Sequence, residues 1–432
     1  MHPPPDSPGP TGPDPDRPPT PSRATASWPR STQRRRGARL LGLDAARGLA
    51  VLGMFVAHFN PYQTFPDSTL QAIVSGRSAG LFAVLAGITT ALLSGADDPP
   101  AGAAMRERRV RLAVRAVLLF GLGLALTALG TSVKEILTAF AALFLLALPI
   151  LRVRPVLLAA AAALLAVLGP VVSFLLRAGI VGDEGVGETI APWHLTSPAG
   201  IAHAALVLTV TGVYPLLTWA PFLLAGMAIG RLPLREAAVR RALVLGGATV
   251  TAACYGLSWL LTGPLGGYAL MAADLGTDVA EARRLATTAI GAVPTVHPVA
   301  LLTTAGHSGA PLEIGGVIGL SMVLLGVLLV LGDRVPGPLT PLIAVGSLAL
   351  TCYVGHIVVI AILGPELLAR LFIEHLYLVL VAMVVGALVL ATVWRSRLGQ
   401  GPLERPISYL CRRIAAPAAP RHLHPSEHRR PT

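Results

Sequence analysis

The sequence predicts an all-α, polytopic membrane protein of about ten transmembrane helices with both termini in the cytoplasm. Three observations carry this. Apolar residues make up 53% of the chain and charged residues 13%, with a mean hydropathy of +0.68. Apolar segments recur at near the ~20 residues that a helix needs to cross the hydrocarbon. The arginines cluster between alternate segments, as cytoplasmic loops do.

Residues 1–38 are rich in Pro, Ser, Thr and Arg and lack apolar periodicity. Such a stretch buries too little surface to offset the entropy of ordering, so it reads as a disordered arm. Arg34, Arg35 and Arg36 precede an apolar stretch, but that stretch contains Asp44 and Arg47 and no small-residue cleavage site. It therefore reads as a retained first helix and not as a signal peptide. A ten-helix domain follows over 39–400, and a basic tail over 401–432.

The ten apolar segments fall at 41–60, 70–94, 110–130, 134–151, 155–177, 201–230, 241–262, 312–332, 341–363 and 376–394. The sixth is long and interrupted by Pro215 and Pro221. With the N-terminus inside, only Arg77, Lys134, Arg177, Arg283, Arg284 and Arg370, six of the 34 basic residues, fall on the outer side. The outer loops, 178–200 and 263–311, are unusually long and include the acidic run Gly182–Glu188. Long loops in compact proteins are often functional.

Topology thus explains the net charge of +12, and nucleic-acid binding is not expected, because the basic residues form no continuous stripe with interleaved aromatics. The bilayer is the expected partner, in the plasma membrane. Cys254, Cys352 and Cys411 lie far apart and form no C-x-x-C, and no metal-ligand spacing appears. A homo-oligomer is compatible with this reading.

Ionisable groups inside spans are expensive against lipid and mark polar interiors. Asp44, Arg47 and His58 lie on the first segment. In a helix Arg47 and His58 fall within roughly 20° of one face and ~16 Å apart along the axis. His58 suits a general base that takes a proton from an attacking acceptor. The competing reading is a hydrogen-bonded interface histidine. Asp44 and Arg47 are i,i+3 neighbours that either pair structurally or present Arg47 to a phosphate or carbonyl. Arg77, in a Gly- and Ser-rich helix start, either snorkels or binds a polar ligand.

Arg106, Arg109 and Arg111 stand at the mouth of the third segment. They serve topology and anionic lipid, or grip phosphates in two-point contacts. His307, Ser308 and Glu313 enter the eighth segment from outside, where Pro311 and Glu313 suit a helix start. His356 reads as a packing histidine.

Leu43-Asp-Ala-Ala-Arg-Gly-Leu-Ala50, followed by Met54 and His58, resembles the opening of the transmembrane acyltransferase superfamily. That group includes heparan-alpha-glucosaminide N-acetyltransferase and the bacterial membrane O-acyltransferases. Arg47 and His58 reproduce an Arg-x10-His spacing of the bacterial enzymes, and Arg106 and Arg109 their Arg-x-x-Arg. Gly306–Glu313, Val345–Tyr353 with His356, and Gly401–Glu404 resemble a bacterial multi-pass family of unassigned function that shares this segment.

The resemblance implies transfer of an acetyl or longer acyl group from cytoplasmic acyl-coenzyme A to a sugar or glycan acceptor outside, with no metal. Coenzyme A phosphates would sit on Arg106, Arg109 and Arg111, the acyl chain near Arg47 and Arg77, and His58 at the reacting carbonyl. One departure stands out: the heparan-type enzyme places its active histidine in the loop after this helix, and residues 59–75 contain none. N-acetylation of glucosamine is therefore not carried over. The rival from another class is a transporter or exporter of a small solute or lipid-linked sugar through the same polar interior.

Overall fold

A computed structural model describes His2 and residues 39–58 and 73–416. The Pro-rich arm and the end of the basic tail lie outside the described residues. Among the described residues the chain is all-helical, with fifteen α-helices and no strand. Eight helices are long and apolar enough to cross a membrane: α1 (Leu41–His58), α2 (Arg77–Ser94), α3 (Gly102–Ala128), α5 (Pro155–Val181, ending in a π-turn), α8 (Ala237–Thr262), α11 (Pro311–Arg334), α13 (Ala349–Leu371) and α14 (Tyr377–Leu398).

The two remaining apolar segments differ from simple spans for local reasons. The fourth forms α4 (Leu137–Ala147), 11 residues, or ~16 Å, too short to cross alone. Pro149 stops it, since a proline disfavours helix in the residue before it. The sixth is a pair, α6 (Pro198–Leu206) with a following π-turn to Thr211, and α7 (Leu216–Ile229), bent by 57°. Pro215 sets the break by starting α7. Counting the pair as one span makes nine among the described residues.

The expected outer loop 263–311 folds into a cap. It holds α9 (Gly267–Leu275) and α10 (Val279–Thr287), over a small apolar cluster of Met271, Ala282, Ala286, Val293, Val299 and Phe174. Asp278 caps α10 by accepting the Glu281 N–H at 2.7 Å. The short α12 (Pro336–Ser347) precedes α13, and α15 (Glu404–Ala415) forms the start of the tail.

Burial orders the bundle. Of the apolar window of α2, 67% is buried, and of α1, 56%, against 6% for α14. α1 touches α2, α11, α12 and α13 and is the element the others surround. Lipid offers no hydrophobic drive between helices, so close backbone approach supplies the packing. A Cβ at Gly346 of α12 would lie 1.7 Å from the Asp44 carbonyl, and one at Gly48 2.1 Å from the Leu342 carbonyl. Arg231, just after α7, ties three helix ends by donating to the carbonyls of Ala96, at 2.9 Å, and Leu151.

Candidate active site

The polar face expected of α1 is organised at two ends. At its start, Arg47 Nη1 donates to Asp44 at 2.8 Å and Nη2 to Thr89 Oγ1 of α2 at 2.6 Å, while Thr89 donates to the Leu85 carbonyl at 2.7 Å. Asp44 is buried, and the pair is therefore both a helix–helix tie and a wall. A cavity of about 210 Å³ opens against it, lined by Arg47, Thr89, Arg115, Phe140, Tyr353 and Glu404. A second, of about 190 Å³, is lined by Arg108, Arg111, Arg115, Cys411 and Arg412. The two share Thr90, Leu93, Leu112, Arg115, Ile407 and Ser408, so they form one path.

This path sorts the basic run of α3. Arg111 lines it, held to Glu107, and Arg108 and Arg115 line it too. Arg106 and Arg109 lie exposed on α3 and line neither cavity. Arg115 Nε is buried and has no hydrogen-bond partner among the described residues. A buried cationic fork with a spare donor suits an anionic oxygen. The far wall is α15, an amphipathic helix packed on α3. It is pinned by Glu404, which accepts from Thr351 N at 3.0 Å and from Thr351 Oγ1 at 2.5 Å. Its apolar residues Ile407, Cys411 and Ala415 recur every four residues along the inward face, the signal that could have revealed a wall within the tail.

At the other end of α1, His58 Nδ1 lies 2.8 Å from His356 Nε2 of α13, so one ring donates and the other accepts. His356 is wedged between Phe55, at 4.6 Å between ring centroids, and Tyr353, at 5.2 Å. Its Nδ1 is buried with no partner among the described residues. Tyr353 accepts the Ile136 N–H at 3.1 Å, beside Glu135, whose carboxylate caps α4. Tyr353 also lines the path, so a single turn of α13 joins the path to the histidine pair.

Arg77 belongs to this second end. Twelve residues of α2 separate it from Thr89, ~18 Å along the axis. It donates from Nε to Tyr255 Oη at 2.9 Å and from Nη1 to the Ser75 carbonyl at 3.2 Å, with its guanidinium over the Tyr255 ring. The segment before α11 rests on it: a Cβ at Gly76 would lie 2.5 Å from His307 N and 3.1 Å from Glu313 Oε1. His307 holds a left-handed backbone, φ 61°, and its carbonyl accepts from Gly291 N at 2.6 Å. Ser308 is fully buried and accepts the Ala310 N–H at 3.2 Å, a turn role. Burial, and then the charge of Arg77, pull the His307 pKa down to about 4. His307 is also close enough to His58 for a charge on one to act on the other.

The structure therefore brings His58, Arg77, His307 and Glu313 together and adds His356 and Tyr255, while Asp44, Arg47 and Arg111 sit at the opposite end of the same interior. His356, read from the sequence as a packing histidine, had its mid-span position and its place in the stretch that resembles the second family to announce it. The chemistry such a site supports is proton transfer: a buried imidazole whose partner ring fixes its orientation, beside a cation and a carboxylate that grip polar groups.

Two family models match parts of the chain. The family model described as the catalytic region of heparan-alpha-glucosaminide N-acetyltransferase matches residues 39–259, just over half of the 432-residue chain. A second, described as a protein of unknown function (DUF418), matches residues 278–414. No curated protein matches the chain. The first match covers α1 to most of α8, with His58, Arg77 and the α2 and α3 walls of the path, and the second supplies His307, Glu313, His356 and the α13 and α15 walls. The chain belongs to the heparan-alpha-glucosaminide N-acetyltransferase-like family of membrane acyltransferases.

Proposed function

We propose that this protein moves an acyl group from cytoplasmic acyl-coenzyme A to a hydroxyl of a sugar or glycan on the outer side of the cell membrane. The observation that carries the reading is the position of the His58–His356 pair between an arginine-lined path and a polar cluster. The two parts of the path are about 210 and 190 Å³. The nucleotide phosphates sit at the mouth on Arg108, Arg111 and Arg412, and Arg115, which lines both parts, meets an anionic or carbonyl oxygen further in.

At the reacting carbonyl, neutral His58 takes the acceptor proton as the acceptor oxygen bonds to the acyl carbon. The carbon–sulfur bond breaks and the coenzyme A thiolate leaves by the path. His356 holds the His58 ring through Nδ1, which directs Nε2 to the acceptor. Arg77 and Glu313 bind the acceptor's polar groups. A third cavity, about 650 Å³ with mostly apolar walls, runs between α13 and α14 and is lined by Phe55, His356, Met383, Gly386, Leu390 and Trp394. It gives an acyl chain longer than acetyl a place beside the reacting histidines.

The test is calorimetric titration of the purified protein with acetyl- and octanoyl-coenzyme A, together with release of free thiol in the presence of sugar acceptors. Saturable binding with thiol release supports transfer. Flux of a solute across proteoliposomes without thiol release would replace the enzyme by an exporter.

A further inference from the structure

The connection between α5 and α6 carries a side-chain cluster that the transfer reaction does not use. Glu188, His194 and His203 each offer one ligand atom, and these atoms all lie within 4.8 Å of one another. We propose that the three residues form a binding site for a divalent transition metal of the zinc class. The proposal does not depend on the acyl-transfer reading.

The three side chains reach the site from separately fixed pieces of backbone. Glu188 is held in its loop by its N–H on the Gly185 carbonyl, at 3.1 Å, and by its carbonyl, which accepts from Val213 N at 3.0 Å. His194 lies in the 3₁₀ turn Pro192–Thr196, and that turn rests on the first residues of α6: a Cβ at Gly200 would meet the His194 carbonyl at 2.4 Å. His203 projects from α6, whose start is capped by Ser197 accepting from Gly200 N at 3.1 Å. Gly185, at φ 73°, lets the loop pass His203, because a Cβ there would lie 3.2 Å from the ring. Beneath them Ile190, Ala204 and Val207 form an apolar floor.

The donor set selects the ion. Two imidazoles and a carboxylate are the ligands of zinc and its neighbours, while calcium and magnesium take oxygen ligands. His203 Nε2 already lies 2.9 Å from Glu188 Oε2, and the His194 and His203 ring centroids are 5.1 Å apart, edge to face. Around a tetrahedral ion with bonds of ~2.1 Å, ligand atoms stand about 3.4 Å apart. The Glu188–His203 pair has to open by about half an ångström and His194 to close in, within the reach of side chains that are only partly buried. The contact from Ala191 N–H to His194 Nδ1 is long, 3.3 Å, and is easily given up to the tautomer that the ion selects. Three protein ligands leave a fourth position open to water or a ligand oxygen. Such an ion would clasp the acidic loop to α6 and displace the proton between His203 and Glu188.

The full-length protein in detergent, stripped with chelator, is titrated with Zn²⁺ against a chromophoric competitor at pH 7.5, and with Co²⁺ for its visible absorption. Wild type is expected to bind one equivalent more than the His194→Ala/His203→Ala double variant, to show a tetrahedral Co²⁺ band that the double variant lacks, and to unfold at a higher temperature with Zn²⁺. His422, His424 and His428 of the tail add a background common to both proteins. Glu188→Gln keeps the side-chain shape and is expected to weaken binding at least about tenfold, which preserves the test if the double variant fails to fold. Equal stoichiometry in wild type and variants, or a Co²⁺ spectrum indifferent to all three positions, overturns the proposal.

Discussion

The two ends of α1 solve the same problem, polar groups inside a membrane protein, in opposite ways. The Arg47 end uses permanent charge. Arg47 is tied to Asp44 and Thr89, and Arg108, Arg111, Arg115 and Arg412 line the adjoining path. The His58 end surrounds two imidazoles with aromatic rings and places the single guanidinium of Arg77 against Tyr255. Fixed cations serve binding of anions over a wide pH range, whereas neutral imidazoles serve proton transfer. Binding and chemistry are therefore expected to be separable by mutation.

The largest effect tests that separation directly. His58→Ala is expected to reduce turnover by about 10²–10⁴-fold, the usual contribution of a positioned general base, with coenzyme A affinity unchanged. His356→Ala should fall between this variant and wild type, because it leaves the base but frees its ring. Thiol-release kinetics beside calorimetry measure both. Wild-type turnover in His58→Ala would remove this residue from the mechanism, and a parallel loss of donor affinity would merge the two ends into one site.

The next effect concerns pH. An unfolded histidine protonates near 6.5, while buried His307 stays neutral down to about 4. Between these values the unfolded chain binds a proton that the folded chain does not. Stability from this group is therefore flat above pH 6.5 and falls as pH drops toward 4, by up to about 3 kcal/mol at about 1.36 kcal/mol per pKa unit. Arg77, Glu313, His58 and Tyr214 are the polar neighbours that share this environment. Thermal unfolding in detergent from pH 7.5 to 4.5 should show a steeper fall in wild type than in His307→Gln. Identical slopes would mean that His307 is already solvated.

A smaller effect distinguishes arginines that the sequence could not. Arg115→Met is expected to weaken coenzyme A binding by about 10- to 100-fold, the value of a hydrogen bond to a charged group at about 1.5–3 kcal/mol. Arg106→Ala with Arg109→Ala should change it by less than about threefold, since exposed charges are screened. The reverse ranking would restore the Arg-x-x-Arg pair as the donor site and move the path elsewhere.

These contrasts show what a sequence of this kind makes legible. The spans and the charged face of α1 follow from local composition and period, and so the apolar segments expected fall on helices or on the broken pair, except that 341–363 runs across the end of α12 and the start of α13. The break at Pro215 was legible, whereas Pro149 stands inside the segment expected at 134–151 and cuts it to the 11 residues of α4. The histidine pair was not, because His58 and His356 are 298 positions apart and their meeting depends on how α13 packs against α1. The choice of Arg115 over Arg106 was equally hidden: all the α3 arginines look alike in sequence, and only α15, folding back from the tail, decides which of them faces a cavity. The Glu188, His194 and His203 cluster has no recognised spacing because a loop, a turn and a helix each supply one residue.

The smallest effect probes acyl length, the property on which the two ends converge. Gly386 lines the apolar cavity from α14, and a Cβ there meets nothing within 4 Å. Gly386→Leu is therefore tolerated by the bundle but fills space that a chain beyond acetyl would occupy. Displacing about one methylene of buried chain costs about 0.8 kcal/mol, or roughly fourfold. The ratio of octanoyl to acetyl turnover should drop by about that factor, with acetyl turnover within about twofold of wild type. A ratio that does not move would assign the cavity to bilayer lipid. A wild-type enzyme that rejects octanoyl donors altogether would confine the transferred group to the space between His58 and Tyr353, and the cationic and histidine ends would then meet over two carbons alone.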